Sequence, residues 1–272
     1  MQSFSLSPRE LVASLWRHRA LVWLMVKREV VGRYRGAYLG ILWSFFQPLL
    51  MLLIYTFVFS VVFKARWNAG SDSKTEFALV LFAGLMVFNL FAECVSRAPG
   101  LVIANVNYVK KVIFPLEVLP WVVLGSALIH LSISLVVWLM VYMIFYGWPP
   151  LTVLLLPFVL MPLVFLVMGV SWFLASLGVY LRDASQITGI LTTVLMFLSP
   201  IFYPASSLPE NFRELIYFNP LTPIIETMRD VLYWGHLSHP VAWVSILFIS
   251  LLIAWLGFAW FQKTRKGFAD VL

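Results

Sequence analysis

The residues able to do chemistry in this chain are few, and each stands in an apolar setting. Glu93 and Arg97 lie four residues apart at the end of one apolar run, His130 near the middle of another, and Arg182-Asp183 in a short polar break between two more. A carboxylate and a guanidinium at that spacing share a helix face and pair; ionisable residues inside a membrane are otherwise functional candidates. His130 titrates in the range a proton relay needs. A lone histidine in a span more often hydrogen-bonds a neighbouring helix, and a proton-coupled carrier needs several such groups around one cavity. Arg182-Asp183 reads as a salt bridge that fixes a turn, or as a gating or headgroup contact. There is no G-x-x-x-x-G-K-[ST] to cradle nucleotide phosphates, no H-E-x-x-H, no G-x-S-x-G and no His/Cys cluster at metal spacing. The sequence assigns this chain no catalytic residue, no metal and no cofactor.

The elements that position these residues are set by hydrocarbon. The chain has 272 residues, 62% hydrophobic and 11% charged, with a mean hydropathy of +0.93. A soluble domain is about half apolar and a quarter charged, so this is a polytopic membrane protein. Its net charge of +7 sits beside apolar runs and does not point to nucleic acid. The single cysteine, Cys94, excludes an internal disulfide framework. The first residues lack a basic n-region and a cleavage site, so the first span is expected to be retained.

In chain order, Ser7-Pro8-Arg9-Glu10 reads as a capping-box helix start. Val12, Leu15, Trp16, Val22, Trp23, Val26 and Val30 then recur at helical spacing, interrupted by charge. This predicts an amphipathic interface helix over about 8–31 within an N-terminal segment 1–36. Spans are predicted at 37–63, with a kink at Gln47-Pro48, and at 77–95, 116–146, 151–180, 187–203 and 241–261. A short polar helix is expected within 97–115, between the helix breakers Pro99-Gly100 and Pro115. Residues 204–240 hold two helical patterns too short to span. The second carries Ile224, Ile225, Met228, Val231 and Leu232 on one face and Glu226, Arg229 and Asp230 on the other. They read as a hairpin dipping partway into the membrane, shielded by protein. The fold class is all-α integral membrane, with six transmembrane helices (37–262), an N-terminal interface helix, a re-entrant hairpin before the last span and a tail, 263–272.

Six spans place both termini on one side, which holds 14 of the 19 Lys and Arg. That excess puts both termini in the cytoplasm. No two-fold internal repeat is evident, which weakens a secondary-carrier reading. Aromatic residues are dense in span 1 and at the end of span 5. Most such residues fill lipid-facing surface, but a path for sugar also uses flat, weakly directional aromatic faces.

Several stretches together resemble the permease subunit of the type-2 ABC exporters that move polysaccharides across the bacterial inner membrane. They are RYRGAYLG at 33–40, YTFVFSVVFK at 55–64, NYVKKVIFP at 107–115, GVYLRD at 178–183, LSPIFYP at 198–204 and NPLTPIIE at 219–226. The resemblance is greatest to O-antigen export permeases, with capsule and teichoic-acid permeases close by. It implies a homodimer bound to two copies of a separate ATPase, which would carry ATP and Mg. It implies that Arg28 and Glu29 of the interface helix, with Asn107, Tyr108, Lys110, Lys111, Phe114 and Pro115, meet that ATPase. A channel would be lined by spans 1 and 5, with Trp43, Phe46, Tyr55, Phe59, Phe197 and Tyr203 as its sugar path. Arg33, Arg35 and Arg182 would receive a lipid pyrophosphate. Pro48, Asp183, Glu226 and Arg229 would serve structure and gating. An integral-membrane transferase acting on lipid-linked sugars is the alternative from another class; it needs paired carboxylates at one leaflet, and Glu93, Asp183 and Glu226 are scattered along the chain.

Overall fold

A computed structural model describes residues 5–62, 67, 74–109, 114–238 and 240–272. Among these every regular element is helical and no strand occurs. Helix α1 (Pro8–Arg17) starts as expected, with Ser7 Oγ accepting the Arg9 N–H at 3.3 Å and Pro8 in the first turn. The reciprocal half of the capping box is not made. Glu10 pairs with Arg17 at 3.0 Å, and the Ser7 N–H donates to Ser5 Oγ.

The single interface helix expected over 8–31 is two helices. His18, at φ −105° and ψ 15°, separates α1 from α2 (Arg19–Tyr34), although no Pro or Gly marks the break. Leu11, Met25, Val26 and Val30 turn inward while Val12, Trp16 and Trp23 are exposed. Arg19 lies over the Trp16 ring at 4.8 Å and Lys27 over Trp23 at 5.1 Å. Indoles capped by cations suit the headgroup layer of a bilayer.

Span 1 is wound irregularly. A 3₁₀ turn at Gly40–Leu42 leads into α3 (Trp43–Tyr55), which keeps Pro48 inside it, and a π-helix follows at Thr56–Val62. The remaining helices are α4 (Lys74–Arg97), the short α5 (Val106–Val109), α6 (Leu119–Tyr146), α7 (Leu156–Tyr180), α8 (Ala184–Leu198), α9 (Glu210–Tyr217), α10 (Leu221–Arg229, continued by a π-turn to Trp234), α11 (Pro240–Thr264) and α12 (Phe268–Val271).

Among the described residues, five stretches are long and apolar enough to cross a membrane: Gly40–Phe59, Thr75–Gly100, Leu116–Tyr146, Leu151–Tyr180 and Pro240–Val271. The fifth expected span, 187–203, is instead the 15-residue α8, roughly 22 Å long and short for a hydrocarbon core of about 30 Å. Its apolar text runs on past Ser199-Pro200, but the backbone there leaves the helix.

Helix α4 is the axis of the bundle. From Phe77 to Val95 almost every side chain is buried, against α6, α7, α8 and α10. Helices α7 and α11 pack most intimately, because Gly169 and Gly257 let their backbones touch. A Cβ on Gly257 would fall on the Gly169 carbonyl, and one on Gly169 on the Ile253 carbonyl. Small residues at a crossing are how membrane helices gain van der Waals contact without a hydrophobic driving force.

The hairpin corrects one expectation. Ile224, Ile225, Met228, Val231 and Leu232 are buried as expected, but Arg229, read onto the polar face, is only 3% exposed. The helix is packed inside the bundle rather than floating on it, and the guanidinium finds its acceptors there. Arg229 Nε donates to the Val80 carbonyl at 3.0 Å, Nη1 to Pro200 O at 2.6 Å and Nη2 to Ile201 O at 2.9 Å. Gly84 makes the room, since a Cβ there would stand 2.7 Å from Nη2.

Replacing Gly257 by Leu is expected to destabilise the fold by at least about 1–3 kcal/mol, the usual effect of overpacking. Unfolding in mixed detergent micelles checks this, with Gly32→Ala, where a Cβ meets nothing within 4 Å, as the neutral comparison.

Candidate functional site

A cavity of about 750 Å³ opens between α3, α4, α6 and α8. Its polar groups arise from helical spacing. On α4, Asn89, Glu93 and Ser96 stand one turn apart and face it, below Phe82 and Met86. His130 and Ser134 do the same on α6, Ser44 and Gln47 on α3, and Thr192 and Thr193 on α8. From Ser96 to Phe82 the wall runs about 21 Å along α4. Hydrogen-bonding groups thus line all four helices, interspersed with apolar side chains, and the two charged ones, Arg33 and Glu93, pair with each other. Such a surface lets a hydrated chain pass without gripping it at one point.

The mouth is held by charge. Glu93 pairs with Arg33 and, at 3.6 Å, with Arg97, while Arg97 also pairs with Glu29. Two carboxylates and two guanidiniums therefore tie α2 to the end of α4. The ordinary reading of Glu93 and Arg97 as an ion pair holds and widens into a network. Each group is about one-fifth to two-fifths exposed, so the network orients more than it stabilises. Deeper in, the Tyr34 hydroxyl and His130 Nδ1 form a hydrogen bond at 3.3 Å. His130 bonds a neighbouring helix, as a lone histidine usually does. Burial raises the Tyr34 phenol above its ordinary pKa, which keeps it a neutral donor.

Aromatic rings close the far end of the cavity. Phe59 stacks on Phe202 at 5.2 Å and on Phe77 at 6.1 Å, with Tyr55 and Phe197 adjoining. Of the expected sugar-path residues, Tyr55 lines the cavity and Phe59 and Phe197 belong to this cluster. Trp43 and Phe46 are exposed on another face of α3. Tyr203 donates its hydroxyl to the Phe197 carbonyl at 2.9 Å.

The other expected site residues fall as follows. Pro48 lines the cavity. Arg33 is engaged with Glu93, whereas Arg28, Arg35, Arg182 and Asp183 are exposed. No ion pair joins Arg182 to Asp183 among the described residues. Asn107 is exposed on the short helix α5. Tyr108 stacks on Phe114 at 4.2 Å, which ties the short helix α5 to the exit of the polar loop beside Pro115. Lys110 and Lys111 lie outside the described residues. Glu226 accepts the Tyr217 hydroxyl at 3.2 Å.

A second clamp was not anticipated. Glu117, 8% exposed, accepts from Arg265 Nη1 at 2.5 Å and from Ser14 Oγ at 3.2 Å. Arg265 also donates to the Phe114 carbonyl at 2.9 Å, and the Trp172 indole to that of Glu117 at 3.1 Å. The Glu117 carboxylate therefore joins α1 and the C-terminal segment to the exit of the polar loop, and its backbone carbonyl adds α7. The start of the same loop is wedged where Gly178 lets α7 touch the Pro99 carbonyl. A carboxylate one residue inside an apolar run was the available signal; its partner is 148 residues away.

Residues 20–233 match the ABC-2 type transporter family. The chain is 29% identical over 262 residues to the O-antigen export system permease protein RfbA of Myxococcus xanthus, covering 96% of this chain and 98% of that protein. It is 28% identical over 255 residues to the protein of the same name from Klebsiella pneumoniae, covering 93% and 95%. Identity to the polysialic acid transport protein KpsM of Escherichia coli is 24% over 243 residues, covering 88% and 92%.

Arg265→Ala is expected to destabilise the protein by about 3–5 kcal/mol, because it strands a buried carboxylate. The double variant Arg265→Leu with Glu117→Leu should lose clearly less. Detergent unfolding of the three proteins checks the order.

Proposed function

This chain belongs to the ABC-2 type transporter family, and we propose that it is the channel-forming permease of an ATP-driven exporter for lipid-linked polysaccharide. The substrate favoured is O-antigen, since relatives matching the chain nearly end to end bear that name at 27–29% identity. Capsular polysaccharide is the nearest alternative, from the KpsM likeness. The observation that carries the reading is the long cavity whose four helices all present hydrogen-bonding groups, with an aromatic cluster adjoining it at Tyr55.

In this reading both termini and the polar loop lie in the cytoplasm, α9 and α10 lie toward the periplasm, and the six membrane helices include the short α8. Two copies of the chain bind two ATPase subunits, which supply the energy this chain has no phosphate-binding loop to capture. The ATPase presses on the loop 97–115 and on α1 and α2. Those elements converge on the Glu117–Arg265 clamp and on the Glu29–Arg97 pair, so a push there reaches Arg33 and Glu93 at the cavity mouth. The exposed guanidiniums of Arg35 and Arg182 are available to a pyrophosphate through charge-assisted contacts; Arg33 reaches one only by releasing Glu93.

Thr193 is exposed and faces the cavity, so Thr193→Trp should narrow the path without unfolding the helix. Export of polysaccharide by cells carrying this variant is expected to fall at least tenfold, with ATP hydrolysis by the assembled complex within twofold of normal. Unchanged export would remove the cavity from the path. The only native cysteine is buried, so single-cysteine reporters fix the orientation. Phe218→Cys should react with an impermeant maleimide in intact cells, and Val271→Cys only after the membrane is opened. The reverse pattern would invert the topology.

A further inference from the structure

A second cavity, of about 330 Å³, opens within the hairpin, lined by residues 204–206, by α9, by α10 with its π-turn, and by Trp67. Nothing derived above requires it. Trp67, Tyr217 and Trp234 bring aromatic rings to its wall, and Arg213, Glu226 and Asp230 bring charge. Arg229 contributes little more than a surface, because it is 3% exposed, three of its five N–H donors go to backbone carbonyls and its guanidinium lies over the Trp67 ring at 4.2 Å.

The wall has a definite chemistry. Two carboxylates face two guanidiniums, so the formal charges cancel and neither an anion nor a cation is favoured overall. Among the described residues no group of three His, Cys, Asp or Glu is placed to hold a metal. Glu226 and Asp230 stand one turn apart on the same helix and can accept from hydroxyls. The Tyr217 phenol, pushed up to about 12 by burial and by the charge of Glu226, remains protonated. Arg213 donates through Nη2 to the Ser206 and Leu208 carbonyls at 2.9 and 3.2 Å, and its buried Nε has no hydrogen-bond partner. Flat rings, acceptors and no net charge together suit a neutral polyhydroxylated ring, whose C–H face packs on indole while its hydroxyls reach carboxylates. The volume lies at the bottom of the ~300–1,000 Å³ range of small-molecule sites, enough for one such ring and not for a run of them.

We propose that this pocket is an exit subsite that holds one neutral sugar residue of the exported chain after it has passed the aromatic cap. This rests on the reading of the protein as a polysaccharide permease. A single-residue subsite binds weakly, which a moving chain requires: it must be held long enough to prevent sliding back and released at each step.

Two experiments test the subsite and separate its failure from that of the functional reading. A photoreactive benzoyl-phenylalanine is placed at Trp234, or at the outward-facing Phe218, which is 85% exposed, in the complete exporter in cells. Position 234 is expected to capture polysaccharide at least tenfold more than position 218. Equal capture, or capture at 234 of only lipid or a second copy of the chain while export continues, overturns the subsite. In parallel, saturation-transfer NMR of the purified chain with neutral methyl hexosides should show ring-proton transfer that drops at least tenfold in Trp234→Ala and in Glu226→Gln. Transfer that is absent, or unchanged in both variants, also overturns it. Hexoside binding lost in the variants, with no polysaccharide exported by the intact complex, would keep the pocket and refute the permease reading.

Discussion

A guanidinium inside a membrane protein has to find its acceptors within the protein, because hydrocarbon offers none. Arg229 meets that demand with three backbone carbonyls, from α4 and from the break after α8. That contact turns two short helices into a plug packed against the central helix, and it fixes where α8 stops. At the opposite end of α4, Glu93 and Arg97 are gripped by Arg33 and Glu29 of the interface helix. The helix that forms one wall of the cavity is therefore held at both ends by arginine, and its length between is buried apolar surface. Movement of either grip has one place to register, the cavity wall.

The arrangement explains why the polar loop can act at a distance. Its start leans on α7 through Gly178, its short helix α5 meets its exit through Tyr108 and Phe114, and that exit is locked to both terminal segments by Glu117. Force applied to any of these elements is shared by the others, since one buried carboxylate serves three of them. Helices α3 and α8 are the least enclosed, with large apolar residues such as Leu53, Phe57, Ile190 and Phe197 exposed. They also border the cavity. In a membrane such apolar surface is covered by lipid or by other protein.

Much of this was legible in the sequence, because hydrocarbon imposes length and composition directly. Five long apolar helices, the helical pair α9 and α10 and the short helix α5 follow from apolar runs and helix breakers. Long-range pairing was not, and it decides the site. Nothing local marks Glu117 as the partner of Arg265, or Arg33 as that of Glu93. Arg229 was placed on a solvent face because amphipathic spacing assumes water opposite the apolar stripe, whereas here protein lies on both sides. Helix α8 was read too long because Ser199-Pro200 interrupts the helix without interrupting hydrophobicity. The stripe of Asn89, Glu93 and Ser96 obeys simple helical spacing, yet three polar residues within an apolar span read as tolerated exceptions until the cavity gave them a common direction.

The central claim is that the chain is a conduit with no energy source of its own, opened by force received at its cytoplasmic clamps. Reconstitution tests it most directly. Purified chain is placed in vesicles with the lipid-linked polymer, with and without its ATPase, and the polymer on the far side of the membrane is measured over time. The expected result is transfer only when ATPase and ATP are both present. Sustained transfer by the chain alone, or transfer driven by a pH gradient without ATP, would contradict the account.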